Sequence, residues 1–176
     1  MNIELRWQVS QSASCLHATE ALRRGQSLID AGMAASITGP AHQLLREVNA
    51  GGLPEEDFFY HLVPLSAGIE SNRELAELTL RKTIGSGPRA ASLTRSLADR
   101  IGDVEAAVRR DFPDLVDDLR SPAGLLQSEW NKFGPAIIGS VGQLTDERLI
   151  VPRADVIVVY PATGGSCESH LDYNSI

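Results

Sequence analysis

Cysteine is scarce in this chain: 176 residues contain two, Cys15 and Cys167. Two thiols cannot build a disulfide framework, which excludes the small secreted scaffolds that depend on one. Long apolar runs are missing too. The longest, Val156 to Tyr160, is far short of the roughly 18 to 20 residues needed to cross a bilayer. Basic residues are the minority, 16 Lys and Arg against 23 Asp and Glu, and the formal net charge of -7 argues against wholesale binding to nucleic acid or to an anionic membrane. No charged-then-apolar leader opens the sequence, so a cytoplasmic setting is expected. Neither Gly-x-Gly-x-x-Gly nor a Walker lysine occurs where a nucleotide would need it.

What is present reads as an ordinary globular protein, 43% hydrophobic and 22% charged. A chain of this length buries about 70% of its unfolded surface and needs no disulfide or metal staple, so residues 1–176 are expected to form a single domain. The charges are unevenly spread. Arg81 to Arg110 holds seven basic residues against three acids, whereas Leu44 to Glu77 holds seven acids against two arginines. Such blocks could steer an anionic partner to one side, or could face each other within the fold or across a dimer.

Ile3, Leu5, Trp7 and Val9 alternate with Glu4, Arg6, Gln8 and Ser10, which predicts an N-terminal strand. Cys15, Ala18, Leu22, Gly25, Ile29 and Met33 recur at three and four residues and predict one helix stopping at Gly32. Gly39-Pro40 then opens a short helix closed by Gly51-Gly52. Pro54 opens the next, with Glu55, Glu56 and Asp57 at its positive end and Phe58, Phe59, Tyr60 and Leu62 as its packing surface. Ser71-Asn72-Arg73-Glu74 reads as a capping box, and Pro88 opens a long helix carrying Leu93, Leu97, Ile101, Val104 and Val108 as far as Asp111. Three shorter helices are expected after that: one over 113–119, one from Ser121-Pro122 bearing Leu126, Trp130 and Phe133, and one bearing Ile137, Val141 and Leu144 beyond Gly134-Pro135. Strands are expected at Leu149–Val151 and Asp155–Tyr160, the second buried on both faces or central in its sheet, and Leu171 and Tyr173 suggest a last strand. The fold class is α+β: a mainly helical body of five to seven helices on a small sheet formed by the N-terminal strand and the C-terminal strands. A chain that stops just as a strand begins could be a piece of a longer product, could complete its sheet with a partner chain, or could simply fray at its terminus.

Chemistry concentrates behind that apolar strand, in Thr163-Gly164-Gly165-Ser166-Cys167-Glu168-Ser169-His170. Thr163, Gly164, Gly165 and Ser166 could gather backbone N–H groups and hydroxyls around a small anion, although too few residues remain after them to form the helix that usually completes a phosphate site. Cys167, Glu168 and His170 could serve as nucleophile, acid or base, and second base, since a histidine within reach of a thiol favours the reactive thiolate. The same residues form a Cys-x-x-His half-site for zinc, but no second half is evident: Cys15 and His17 point to opposite sides of a helix, and Cys15 lies on the apolar stripe as a core residue. The plain alternative is a loop joining two strands. Phe58-Phe59-Tyr60-His61 reads as core packing plus an interface. Two functions therefore stand side by side. The first is an intracellular interaction or oligomerisation domain that self-associates as a homodimer without catalysis. The second is a small hydrolase or transferase working at Thr163–His170 through Cys167 or a bound metal. No cofactor is required by these residues, and a small anionic ligand is the one non-protein partner they suggest.

Overall fold

The computed structural model describes residues 3–146, 148, 150–161 and 167–176. Among them the chain runs β1 (Glu4–Val9), α1 (Gln11–Arg23), α2 (Ala31–Ala50), α3 (Glu55–Ser66), α4 (Asn72–Ile84), α5 (Pro88–Asp111), α6 (Leu115–Leu144) and β2 (Arg153–Val158), with a short 3₁₀ turn at Leu171–Tyr173. This is the expected α+β, mainly helical fold, with six α-helices among the described residues packed against a two-stranded sheet.

The core is built by the first five helices. Cys15 and Leu16 of α1, Met33, Ile37, Leu44 and Val48 of α2, Phe58 and Leu62 of α3, Leu75 and Leu80 of α4, and Leu97, Ile101, Val104 and Val108 of α5 are fully buried. The expected stripe on α5 is thus the inner face of that helix, with Leu93 at its half-buried edge. Ser71 caps α4 by accepting from the Glu74 amide at 3.3 Å. Gly52 sits in the left-handed region (φ +62°) after α2, where an added side chain would meet the Arg89 guanidinium at 3.0 Å. That guanidinium donates to the Gly51 and Gly52 carbonyls at 2.6 and 2.9 Å and so closes the negative end of α2.

Several predicted boundaries are different in the structure. The single helix expected from Ser12 to Met33 is two: α1 ends at Arg23, Gly25 takes φ +70°, Ile29 is exposed, and Asp30 caps α2, whose first turn contains Gly32. Pro40 does not start a helix but lies inside α2. Met33, Ile37, Ala41, Leu44 and Val48 form one buried stripe that runs past it, and this continuous packing offsets the roughly 3 kcal/mol that an interior proline costs. The three short helices expected after Pro113 are one, α6, which absorbs both Pro122 and Pro135 and is about 45 Å long at 1.5 Å per residue.

β1 and β2 pair in parallel, Glu4 opposite Arg153 through Val9 opposite Val158. The register places opposite charges together on the exposed face: Arg6 makes two bonds of 2.6 and 2.7 Å to Asp155, and Arg153 reaches Glu4 at 3.0 Å. A one-residue slip would break both pairs. β2 begins two residues earlier than expected and ends two earlier. Ile150 and Val151 are not in a strand, and Leu149 lies outside the described residues. The residues after Asp155 are only partly buried, but β2 is flanked on both edges, because the chain's last residues lie along its other side: the Asp155 amide donates to Asn174 at 2.8 Å and the Ile176 amide to Asp155 at 2.9 Å. The strand expected at Leu171 and Tyr173 is instead the 3₁₀ turn, entered through His170 and left through Asn174 in a left-handed conformation.

Beyond β2 the chain is tied to the helical body by Tyr160. Its amide donates to Ser14 Oγ at 3.1 Å, and its hydroxyl donates to the Asp30 carboxylate, which also accepts from the Met33 amide at 2.6 Å. These two bonds hold the Asp30 carboxyl below its usual pKa range, and the carboxylate in turn raises the Tyr160 phenol. Asp30→Ala removes both the cap of α2 and this tie and is expected to cost about 1 to 2 kcal/mol in urea denaturation, with Tyr160→Phe costing less because the cap survives.

Candidate functional site

Of the expected site residues, Thr163, Gly164, Gly165 and Ser166 lie outside the described residues. Cys167 is exposed. Glu168 is engaged by Arg24, the residue that caps the end of α1, whose Nε also donates to Glu20 at 2.7 Å, while Arg23 holds the same Glu20 carboxylate through bonds of 2.6 and 2.9 Å. His170 turns inward onto α3, its ring centroid 5.5 Å from that of Tyr60, and its Nδ1 is buried without a hydrogen-bond partner. Among the described residues no hydrogen bond joins Cys167 to His170 or to Glu168. No group of three His, Cys, Asp or Glu side chains among them could hold a metal ion. Cys15 is fully buried, and burial, reinforced by nearby Glu105, pushes its thiol up to about 12.

The C-terminal segment does assemble a cluster of side chains, with partners from three helices. Tyr173 hydrogen-bonds His61 Nδ1 at 2.8 Å, and Lys82 of α4 lies over the Tyr173 ring at 5.1 Å from its centroid. Tyr60 donates to Asp172 at 3.3 Å. Burial, then Asp172 and Tyr60, push the Tyr173 phenol up to about 12, so its hydroxyl keeps its proton at neutral pH, and the tautomer of His61 sets which of the two groups donates. Three of the four histidines meet this segment, and burial lowers the pKa of each. For His17 the opposing influences are Glu168 and Glu20, with Arg24 adding to the depression. Lys82 depresses His61 further while Asp172 and Asp57 oppose it. His170 feels Glu168 and a backbone hydrogen bond to Tyr60 on one side, Arg24 and His17 on the other. Chemically this is a dock for the C-terminal segment, its rings tilted against Tyr60, and sensitive to acid.

Sequence reading singled out Tyr60 and His61 only as part of an aromatic run that would divide between core and interface. Phe58 and Phe59 are indeed core, in an edge-to-face pair 5.6 Å apart, while Tyr60 and His61 receive the chain's own C-terminal segment. Lys82 gave no signal at all, since its role depends on a residue 91 positions away. The charge blocks do not neutralise each other: among the described residues no ion pair joins 44–77 to 81–110, and their contacts are hydrogen bonds such as those of Arg89 to Gly51 and Gly52 and of Asn72 to Glu105.

The other feature is the outer face of α6. Leu115, Leu119 and Ala123 are buried at its start. The same stripe continues through Leu126, Trp130, Phe133, Ile137, Val141 and Leu144 at steps of three and four, yet it leaves the body and enters water. Leu126, Phe133, Ile137, Val141 and Leu144 each keep between 42 and 85% of their surface exposed. In this half Gly134 and Gly142 are buried and Ile138 and Gly139 half-buried, the ring of Trp130 lying against Gly134, and α6 also contacts β1. No helix among the described residues is long and apolar enough to cross a membrane.

Comparison with known proteins returns no match to a family model, a curated protein or a solved structure. The fold and its surface define the class: an α+β, mainly helical protein with a docked C-terminal segment and one long helix that leaves an apolar seam uncovered.

Native protein should offer one rapidly alkylated thiol, Cys167, and two after denaturation, because Cys15 has no access to reagent. The half-buried histidines contribute nothing to the pH dependence of stability well above 6.5, where folded and unfolded forms are both neutral. As pH falls below that value the unfolded chain takes up protons first and stability declines. Asp30 and Asp111, held low by hydrogen bonds, lose their contribution only below 3.8. Melting temperature should therefore drop between pH 7.5 and about 5.5, and His61→Phe with His170→Phe should flatten that drop.

Proposed function

We propose that this protein is a self-associating interaction module, in which the exposed seam of α6 packs against α6 of a second copy. The observation that carries this reading is the continuity of the stripe: the positions buried at Leu115, Leu119 and Ala123 are succeeded by equally apolar ones that nothing among the described residues covers. Their spacing is that of knobs-into-holes seams between helices. Between Gly124 and Leu144 only Glu129 and Lys132 are charged, and they pair with each other at 2.6 Å, so a second copy meets no like charge along the seam. Pro135, which breaks a helical hydrogen bond, lies on the side away from the seam and does not obstruct close approach. Five of these seam residues, Leu126, Phe133, Ile137, Val141 and Leu144, keep 42 to 85% of their surface exposed and would lie at the centre of such an interface. An unpaired, exposed Cys167 suits a reducing intracellular compartment.

Light scattering across the micromolar range is expected to give a dimer. Phe133→Glu with Ile137→Glu is expected to give a monomer of unchanged helix content, because each buried apolar side chain of this size is worth about 1.5 to 3 kcal/mol and a two-fold axis counts every substitution twice. Wild-type protein that remains monomeric throughout that range overturns the reading.

A further inference from the structure

At the C-terminal end of β1, where the chain turns through Ser10 into α1, a cavity of about 300 Å³ opens between α1, the end of α3 and α5. The ends of parallel strands are where open sheets collect ligands, and this volume is at the lower limit of small-molecule pockets. Its walls carry both signs of charge. Glu105 and Arg109 stand one turn apart on α5 and both line the cavity, yet they are not paired with each other, and among the described residues Arg109 has no ion-pair partner. Glu105 is held instead by Asn72, whose Nδ2 donates to its carboxylate at 2.7 Å. A second acid, Glu70, enters from the segment after α3.

The remaining lining groups are likewise of two kinds, donors and acceptors. Gln11 Nε2 and Ser12 Oγ are buried without partners on residues that line the cavity. They lie in the first turn of α1, whose amides carry partial positive charge; Ser10 satisfies the Ala13 amide through its side chain and the Ser14 amide through its carbonyl, but not those of Gln11 and Ser12. Ser66 and Ala67 bring the opposite, carbonyl-bearing end of α3 to the other wall. Arg109 with the donors of Gln11 and Ser12 suits a carboxylate, and Glu70 and Glu105 with the end of α3 suit an ammonium group. Side chains one helical turn apart are separated by about 5 to 6 Å, the scale of a compact molecule that carries both charges.

We propose that this cavity binds a small zwitterion of the α-amino acid class, its carboxylate on Arg109 and its ammonium on Glu105 and Glu70. The site is separate from the α6 seam and does not depend on self-association. Calorimetric titration of the full chain with L-serine and L-glutamine, with acetate and methylamine as half-molecules, tests it. Binding of an amino acid at millimolar concentration or tighter is expected, with neither half-molecule binding comparably. Arg109→Gln and Glu105→Gln are each expected to weaken it about tenfold or more, and Arg109→Lys to weaken it less. The Phe133→Glu, Ile137→Glu protein should bind as wild type does, so loss of the dimer and loss of the ligand are read separately. Absence of amino-acid binding, acetate or methylamine alone binding equally well, or affinity that survives both charge substitutions in protein with unchanged circular dichroism would overturn the proposal.

Discussion

The parallel pairing of Glu4–Val9 with Arg153–Val158 is the contact on which the geometry of the whole C-terminal half depends. It joins segments separated by nearly the full chain, so its closure entropy is large in total, although that cost grows only as the logarithm of the loop length. The helical body reduces the problem, since α1 to α5 fold into one core and leave only α6 to carry the chain back to β1. Arg6 with Asp155 and Arg153 with Glu4 then select the register. Exposed ion pairs of this kind add little stability, but a slip of one residue would leave each of these charges opposite an uncharged residue and turn the side chains of β2 to the other face.

Once β2 is fixed, the segment beyond it has little freedom. Tyr160 is bonded to Ser14 and Asp30, and the last residues run along the free edge of β2. Glu168, His170 and Tyr173 are thereby brought over α1, α3 and α4. The segment is held by an arginine, a stacked tyrosine and a histidine hydrogen bond rather than by apolar burial, for Leu171 beside them is exposed. Polar docking of this sort is stable while its buried imidazoles stay neutral, and it keeps an otherwise bare strand edge from templating another chain.

Much of the fold was legible in the residues. The alternation at Ile3–Ser10, the cap at Ser71, the stripe of α5 and its end at Asp111 are local patterns whose physics acts within a few residues, and each is present. Errors fell where a local signal opposes a long-range one. Pro40 and Pro135 are strong breakers in isolation, yet in α2 the stripe on either side packs on one surface and the helix continues. The continuous seam of α6 was legible as two separate apolar helices, Leu126–Phe133 and Ile137–Leu144, but not as one face. For the site, Cys167, Glu168 and His170 were singled out by their proximity in sequence, whereas the structure pairs Glu168 with Arg24 and His170 with Tyr60. No spacing rule predicts partners from helices that lie more than a hundred residues earlier.

The sequence by itself determined which residues are apolar and at what period, and from this the α+β, mainly helical class, the N-terminal strand and the inner face of α5. It also determined that the second half of α6 carries almost no charge. Only the tertiary structure decided which apolar stripes would find partners. That depends on which elements lie alongside each helix: α2 and α4 pack on α5 and enclose its stripe, whereas the second half of α6 runs past the body and its stripe meets solvent.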